Sequence, residues 1–461
     1  MKNYLSGPKY ICMKIIIAGA GEVGFHLAKL LSYEAQDITL IDTDKNSLVY
    51  AENHLDIKVI RGDATSIAVL TEANIENSDL MIGVTASEAT NITLCMLAKQ
   101  MGCKKTIARI SNTEFLEHRE TIDFDQLGID ELISPEELAA AEIQQLLSQS
   151  AFNETYEFEG GLLTLLGAFL PKSAPFVGKS VKEAATIFPE LHFMPIALRR
   201  KGTQYTVVPR GDTVLKEGDQ VYFITADEGV EELYKLTGMK KKEIKNVMVL
   251  GGSSVGMKTA RDLCHNRFNV KLIEKQKERA FDIADKLPNA LVINGDGRKA
   301  ELLEEESLES MDAFVAVTGN SETNIMSCLV AKSKKIKKTI ALVENMDYFQ
   351  LSHSIGIDTL INKKLLAANT IFRYIRKGKV LALTRLNNLN AEILEFEVKA
   401  GSLVTGQKIK DMDFPREAII GGVIRDGIGI IALGDFEIKA GDKVVVCCLP
   451  RAIGPIEKLF N

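Results

Sequence analysis

Short runs of Ile, Val and Leu alternate along the chain with stretches whose apolar residues recur at helical spacing. The first such runs fall at 15–17, 38–41, 57–60, 80–84 and 106–110. Strands that are apolar on both faces and separated by helices belong to a parallel sheet covered on both sides. This predicts a doubly wound α/β domain over residues 14–150, ending in an Ala-, Leu- and Glu-rich helix at 135–147. Residues 151–240 read differently. Glycine punctuates β-branched runs there, and one helix at 229–236 follows, which is the pattern of a small α+β module.

The same order then repeats. Lys14-Ile-Ile-Ile-Ala-Gly-Ala-Gly-Glu-Val-Gly24 matches Asn246-Val-Met-Val-Leu-Gly-Gly-Ser-Ser-Val-Gly256, and the register holds afterwards. Asp42 meets Glu274, Gly62-Asp63 meets Gly295-Asp296, Val84-Thr85 meets Val317-Thr318, and Thr90-Asn91-Ile92 meets Thr323-Asn324-Ile325. Such self-similarity marks a duplication. The fold class predicted is α/β: two Rossmann-like doubly wound parallel-sheet domains, 14–150 and 241–380, each followed by a small α+β module, 151–240 and 381–461. The second crossover helix is expected to be shorter, at 364–375. Residues 1–13 form an extension, and Lys240-Lys241-Lys242-Glu243 is a polar linker.

Composition narrows the function. Of 461 residues, 56 are Lys or Arg and 62 are Asp or Glu, a net charge of −6 that argues against bulk binding to nucleic acid or another polyanion. Seven cysteines without a C-x-x-C pair give no metal ribbon and suit a reduced compartment. No apolar run reaches the length of about 18 residues that a membrane span needs, so no pore is expected in this chain. The run Lys334-Lys335-Ile336-Lys337-Lys338 reads as a solvated loop.

The chemistry lies in Gly19-Ala20-Gly21-Glu22-Val23-Gly24, which follows one strand and opens a helix. Asp42 ends the next strand. In that context the motif predicts dinucleotide recognition. Gly19 permits the tight turn, Gly21 lets the backbone approach a pyrophosphate, and Gly24 lets helix and strand pack closely. Asp42, followed by Thr43, is placed for the ribose hydroxyls and should repel a 2′-phosphate, so NADP is not expected. Glu22 is expected to point to solvent, because a carboxylate facing a diphosphate is costly. Asp63 and Ala64 either read the adenine edge or form the turn before the next helix. Thr85 and Arg109 complete the rim. Arg109, a charge in an apolar strand, needs an anion, which is either a ligand phosphate or an internal carboxylate.

In the second half Gly21 becomes Ser253 and Arg109 becomes Leu342. That half keeps Glu274 and Asp296 but is expected to bind nucleotide weakly or not at all. No histidine recurs in register between the halves, and no proton-transfer residue is repeated. Cys95 and Cys328 sit on apolar helix faces and are expected in the core. Binding without turnover is the reading that remains, so the chain is not expected to be an enzyme.

These motifs, together with Val-Thr-x-Ser-Glu-x-x-Asn and the Gly-Lys-Ser and Glu-Gly-Asp of the α+β modules, resemble the RCK/KTN family. The tandem order resembles its peripheral regulatory subunits of bacterial potassium uptake systems. The resemblance implies a cytoplasmic protein at the inner face of the plasma membrane that self-associates into a ring and docks on a membrane potassium-translocating subunit. It implies NAD(H) or ATP/ADP as regulatory ligand, with Gly19, Gly21 and Gly24 at the phosphates, Asp42 at the ribose, Asp63 and Ala64 at the adenine, and Arg109 at phosphate charge. The alternatives are an NAD-dependent oxidoreductase and a ligand-independent assembly scaffold.

Overall fold

The five apolar runs of the first half are strands. They are β1 (Lys14–Ala18), β2 (Asp37–Asp42), β3 (Lys58–Arg61), β4 (Leu80–Gly83) and β5 (Lys105–Arg109). A sixth, β6 (Glu131–Ile133), is too short to carry a readable period. The computed structural model describes residues 13–32, 36–112, 114–148, 152, 154–187, 192–203, 205–237, 244–344, 356–376, 382–385 and 391–460. The N-terminal extension 1–12 and the linker 240–243 lie outside the described residues.

The first sheet has the order β3-β2-β1-β4-β5-β6, and every pairing is parallel. This is the doubly wound arrangement whose strand order reverses between β1 and β4, where a crevice opens at the carboxyl ends. The central strands are sealed on both faces: Ile15, Ile17, Leu40, Met81, Ile82 and Ile107 are at most 1% exposed. Helices Glu22–Ser32 and Glu88–Gln100 supply the covering layers.

The second half repeats the sheet with β12 (Asn246–Leu250), β13 (Asn269–Glu274), β14 (Ala290–Asn294), β15 (Ala313–Ala316), β16 (Lys338–Leu342) and β17 (Thr359–Ile361), in the order β14-β13-β12-β15-β16-β17. Repetition reaches individual hydrogen bonds. Cys95 Sγ donates to the Ile107 carbonyl at 3.3 Å and Cys328 Sγ to that of Ile340 at 3.3 Å. Both thiols are fully buried, and burial raises their pKa well above the free value.

Each α+β module is an antiparallel sheet. The first joins β7 (Glu154–Phe158), β8 (Leu163–Phe169), β9 (Phe193–Arg199), β10 (Thr206–Val207) and β11 (Gln220–Thr225) in the order β10-β9-β11-β8-β7. The second joins β18 (Ala382–Arg385), β19 (Glu392–Glu397), β20 (Ala418–Arg425), β21 (Ile428–Ile430) and β22 (Lys443–Cys448) in the equivalent order β18-β19-β22-β20-β21. The two sheets share one core through Leu165, Ile196 and Ile224 from one side and Ile393, Ile424 and Val445 from the other. Glycines permit this approach: a Cβ on Gly421 would lie 2.8 Å from Ile224 Cγ1, and one on Gly429 would lie 1.9 Å from the Leu162 carbonyl oxygen.

Two expectations need correction. The crossover helices are equal in length, Pro135–Ser148 and Lys363–Arg376, each of 14 residues. The basic run is not a free solvated loop. Lys334 pairs with Glu304 and Glu309, Lys337 pairs with Asp312, and Lys338, 2% exposed, donates to the Phe152 carbonyl at 2.7 Å. Lys338 opens β16, so its side chain enters the interior with a partner waiting.

The chain divides into two compact units, one running to Ala139 with Lys363–Ile375 added, the other formed by Ala140–Asn362 and Arg376–Asn461. In the first unit the helix from Lys363 therefore packs with the first parallel sheet. Lys364 pairs with Glu22, Lys363 with Glu136 at 3.3 Å, and Lys105 Nζ stands 5.4 Å over the Tyr374 ring.

Candidate nucleotide site

The glycine-rich turn is held by sterics that no other residue meets. Gly19 has φ of +109°, and an added Cβ would lie 2.8 Å from the Val84 carbonyl oxygen. A Cβ on Gly24 would lie 1.8 Å from the Gly19 carbonyl oxygen, so the helix can start under the turn only with hydrogen there. Gly21 differs. A Cβ there meets nothing within 4 Å, so the fold does not require glycine at this position. Val23 is buried beneath the loop.

Asp42, at the carboxyl end of β2, braces the loop. Its Oδ2 accepts the Ala20 N–H at 2.6 Å and its Oδ1 the Asp44 N–H at 2.8 Å. A carboxylate offers about four lone pairs, so this bracing leaves acceptor capacity on a half-exposed group. Thr43 follows, its carbonyl taking the Arg61 Nε–H at 3.3 Å. Glu22 is 65% exposed, as expected, but it is also paired with Lys364. Its charge is thereby compensated at the mouth of the loop.

Asp63 forms the turn that enters the next helix: its Oδ1 accepts both the backbone N–H and the hydroxyl of Thr65, at 2.9 and 2.8 Å. These bonds hold its pKa below the usual carboxylate value. Ala64 is buried behind it.

Thr85 is tied to Asn91, a partner that the sequence offers only as a repeated position. Asn91 Oδ1 accepts the Thr85 N–H at 2.9 Å and its hydroxyl at 2.7 Å, while Nδ2 donates to the Thr85 and Arg109 carbonyls at 3.2 and 2.9 Å. Asn91 is 1% exposed and joins the ends of β4 and β5. Arg109 closes β5 half-buried, and among the described residues no carboxylate pairs with its guanidinium.

In the second half the frame is the same and the fittings differ. Gly252 N–H donates to Glu274 Oε2 at 2.8 Å and Gln276 N–H to Oε1 at 2.7 Å. Asn324 clasps Thr318 and the Leu342 carbonyl as Asn91 does its partners. Ser253 turns its hydroxyl inward, donating to the Val317 carbonyl at 2.6 Å and accepting the Gly256 N–H at 3.2 Å, so it caps the helix. Its Cβ nonetheless stands where Gly21 leaves open space.

Asp296 pairs with Arg298 at 2.6 Å and with Lys275 at 3.2 Å, and the Arg298 hydrogen bonds hold its pKa far below the usual value. A cavity of about 370 Å³ opens over this loop, lined among others by Glu274, Lys275, Arg279, Asp296 and Arg298. Arg279, Arg298 and Lys275 had no signal in the motif, because Arg279 lies in the helix Lys277–Lys286 and each of the three stands among other charged residues that look like an ordinary solvated surface.

Two Rossmann-type sheets in tandem, each with a braced glycine turn at the strand-order reversal, define a duplicated dinucleotide-binding architecture with appended α+β modules. Family models agree: the TrkA-N domain matches residues 15–135 and 247–363, and the TrkA-C domain matches 166–238 and 393–461. The chain belongs to this TrkA family. It is 32% identical over 454 residues to the Trk system potassium uptake protein TrkA of Halomonas elongata, covering 97% of this chain and 99% of that one. The protein of the same name from Haemophilus influenzae is 33% identical over 455 residues, covering 97% and 99%. Among solved structures, the GsuK RCK domain superposes with a TM-score of 0.61 at 15% identity over 100% of this chain and 98% of that one. The GsuK channel bound to NAD gives 0.61 at 15% identity over 98% and 80%. At that identity the likeness is one of fold. Among the described residues no helix is long and apolar enough to cross a membrane.

Proposed function

We propose that this protein is the nucleotide-sensing regulatory subunit of a potassium uptake system, acting without turnover on a separate membrane subunit of the TrkH/TrkG kind. The observation that carries this reading is Arg109. It is an always-charged side chain, half-buried at the carboxyl edge beside the braced Gly19–Gly24 turn, and no described carboxylate neutralises it. A diphosphate lying on the N–H groups of the turn supplies the missing charge. Gly19, Ala20, Gly21 and Gly24 carry the phosphates, Asp42 the ribose, and Asp63 and Ala64 the adenine side, with Glu22 held off by Lys364. Asp42 excludes a 2′-phosphate from this pocket, which leaves NAD(H) or ATP/ADP. The names of the relatives, and a structural neighbour solved with NAD, support the same reading.

Regulation follows if the ligand binds one shape of a ring of copies better than another. Each tenfold preference biases the gate by about 1.4 kcal/mol, and a ligand indifferent to shape biases nothing. The test is a thermal-shift panel of the full chain with NAD, NADH, ATP and ADP, followed by potassium flux. At least one ligand should raise the melting temperature, and Asp42→Ala with Arg109→Ala should abolish both that shift and the flux response. Normal nucleotide control of flux by a variant that no longer binds nucleotide would overturn the reading.

A further inference from the structure

The two pockets differ in where they place positive charge. At the phosphate end the second half has lost it, since Leu342 replaces Arg109, and Ser253 in place of Gly21 narrows the approach to the backbone. At the ribose and adenine end it has gained it. In register, Thr43, Ser47 and Thr65 of the first half become Lys275, Arg279 and Arg298, all three of which line the cavity. Three uncharged positions have become three cations, while one cation, the Arg61 held on the Thr43 carbonyl, has become Asn294, a net gain of two.

The acid that would oppose a phosphate here is less exposed than Asp42. Glu274 is one methylene longer than Asp42 and is 9% exposed, and each of its oxygens accepts a backbone N–H. It folds back under the loop into space freed by Gly252, where a Cβ would lie 2.7 Å from Glu274 Oε2. Lys275 and Arg298 meet at one oxygen of Asp296, with side chains 63% and 58% exposed. Arg279 Nε donates to the Gly252 carbonyl at 2.8 Å, which fixes the guanidinium at the rim. No ion pair engages its remaining N–H groups among the described residues.

We infer that the second pocket takes an adenine nucleotide bearing a phosphate on its ribose, gripped by Lys275, Arg279 and Arg298 rather than through its 5′-phosphates. An arginine beside the end of the second strand is the known way for this fold to accept a ribose phosphate. Three cations around a dianion give short, charge-assisted hydrogen bonds. The exclusion of a 2′-phosphate from the first pocket rests on Asp42 and is weakened in a half whose acid is nearly buried and faced by three cations. This inference rests on reading both loops as nucleotide cradles.

Calorimetric titration of the full chain with 2′-AMP, 3′-AMP, 5′-AMP, NAD and NADP tests it. A ribose phosphate should bind at least about tenfold tighter than 5′-AMP. Arg279→Ala and Arg298→Ala should each weaken it by a similar factor, Arg279→Lys and Arg298→Lys by less, and Gly21→Ser not at all. Preference for 2′-AMP with NADP assigns a 2′-phosphate ligand, and preference for 3′-AMP assigns a 3′-phosphate ligand. Both arginines are exposed and their bonds lie at the surface, so each substitution should lower the melting temperature by no more than a few degrees. Equal binding of 2′-, 3′- and 5′-AMP, or ribose-phosphate binding indifferent to both arginines, overturns the inference while leaving NAD or ADP binding at the first loop intact. Failure of every adenine nucleotide to bind would remove the nucleotide-sensing reading as well.

Discussion

Gly21→Ser installs in the first loop what the second already carries, and it separates fold from function. The backbone at Gly21 is not left-handed, and a Cβ there meets nothing within 4 Å. The partners that Ser253 uses have counterparts in the Gly24 N–H and the Val84 carbonyl, so the new hydroxyl should cap the helix Glu22–Ser32. Serine over glycine at such a position gains a few tenths of a kcal/mol, and about 1 kcal/mol if both bonds form. At about 2–4 °C per kcal/mol for a domain of this size, the melting temperature should stay level or rise by a few degrees. For the ligand the sign reverses. The same atoms occupy the space through which a diphosphate reaches the backbone, and each charge-assisted bond lost costs about 1.5–3 kcal/mol. NAD or ADP affinity should therefore fall by at least about tenfold. The assay is paired: circular dichroism melts and calorimetric titration on the same preparation. A variant that melts like the parent and binds with unchanged Kd would show that this turn does not cradle phosphate, and a large drop in melting temperature would refute the spatial reasoning.

Arg109→Ala should leave stability within about 0.5 kcal/mol, because no ion pair is broken, yet weaken NAD or ADP binding about tenfold or more by titration. Asn91→Leu should lower stability by roughly 2–4 kcal/mol in urea unfolding, since it strands the buried Thr85 N–H and the Arg109 carbonyl. Glu395 in β19 is 2% exposed, and burial, then the nearby Glu159 carboxylate, push its pKa up to about 7 against an opposing pull from Lys443. The folded state thus holds this proton more tightly than the unfolded chain, and stability is lost as pH rises from about 4.5 to about 7, by roughly 3 kcal/mol in all. Glu395→Gln should remove most of that slope, so its unfolding free energy relative to the parent should improve by roughly 2.5 kcal/mol between pH 5 and pH 8; equal effects at both values would refute a neutral buried Glu395.

The parallel sheets were legible because both-face burial leaves uninterrupted runs of Ile, Val and Leu, and the duplication was legible because it kept register. β6 was not, since three residues hold no period. Helical periodicity also reveals a face without naming its partner, so nothing in residues 364–375 announces that this helix packs with the first sheet and pairs Lys364 with Glu22. Lys338 reads as solvated among its lysine neighbours because only the third dimension supplies the Phe152 carbonyl. In the site, Gly19, Gly24 and Asp42 were marked by spacing. Asn91 acts through hydrogen bonds to chain ends distant in sequence, which no local pattern encodes.

The loop braces also constrain the order in which one half can have changed into the other. Ala20, Asp42 and Ala51 in the first half stand where Gly252, Glu274 and Ile283 stand in the second, and a methyl on Gly252 would lie 2.3 Å from Ile283 Cδ1 as well as 2.7 Å from the Glu274 carboxylate. Lengthening the acid or filling the Ala51 position while alanine still occupies the loop makes the tip of the new side chain swing aside; trimming the alanine first does not. A lineage passing from the Asp form to the Glu form is therefore least hindered when glycine comes first, through an intermediate with a slack loop. Whichever half is older, the pair records a historical path that can be walked one substitution at a time at the bench.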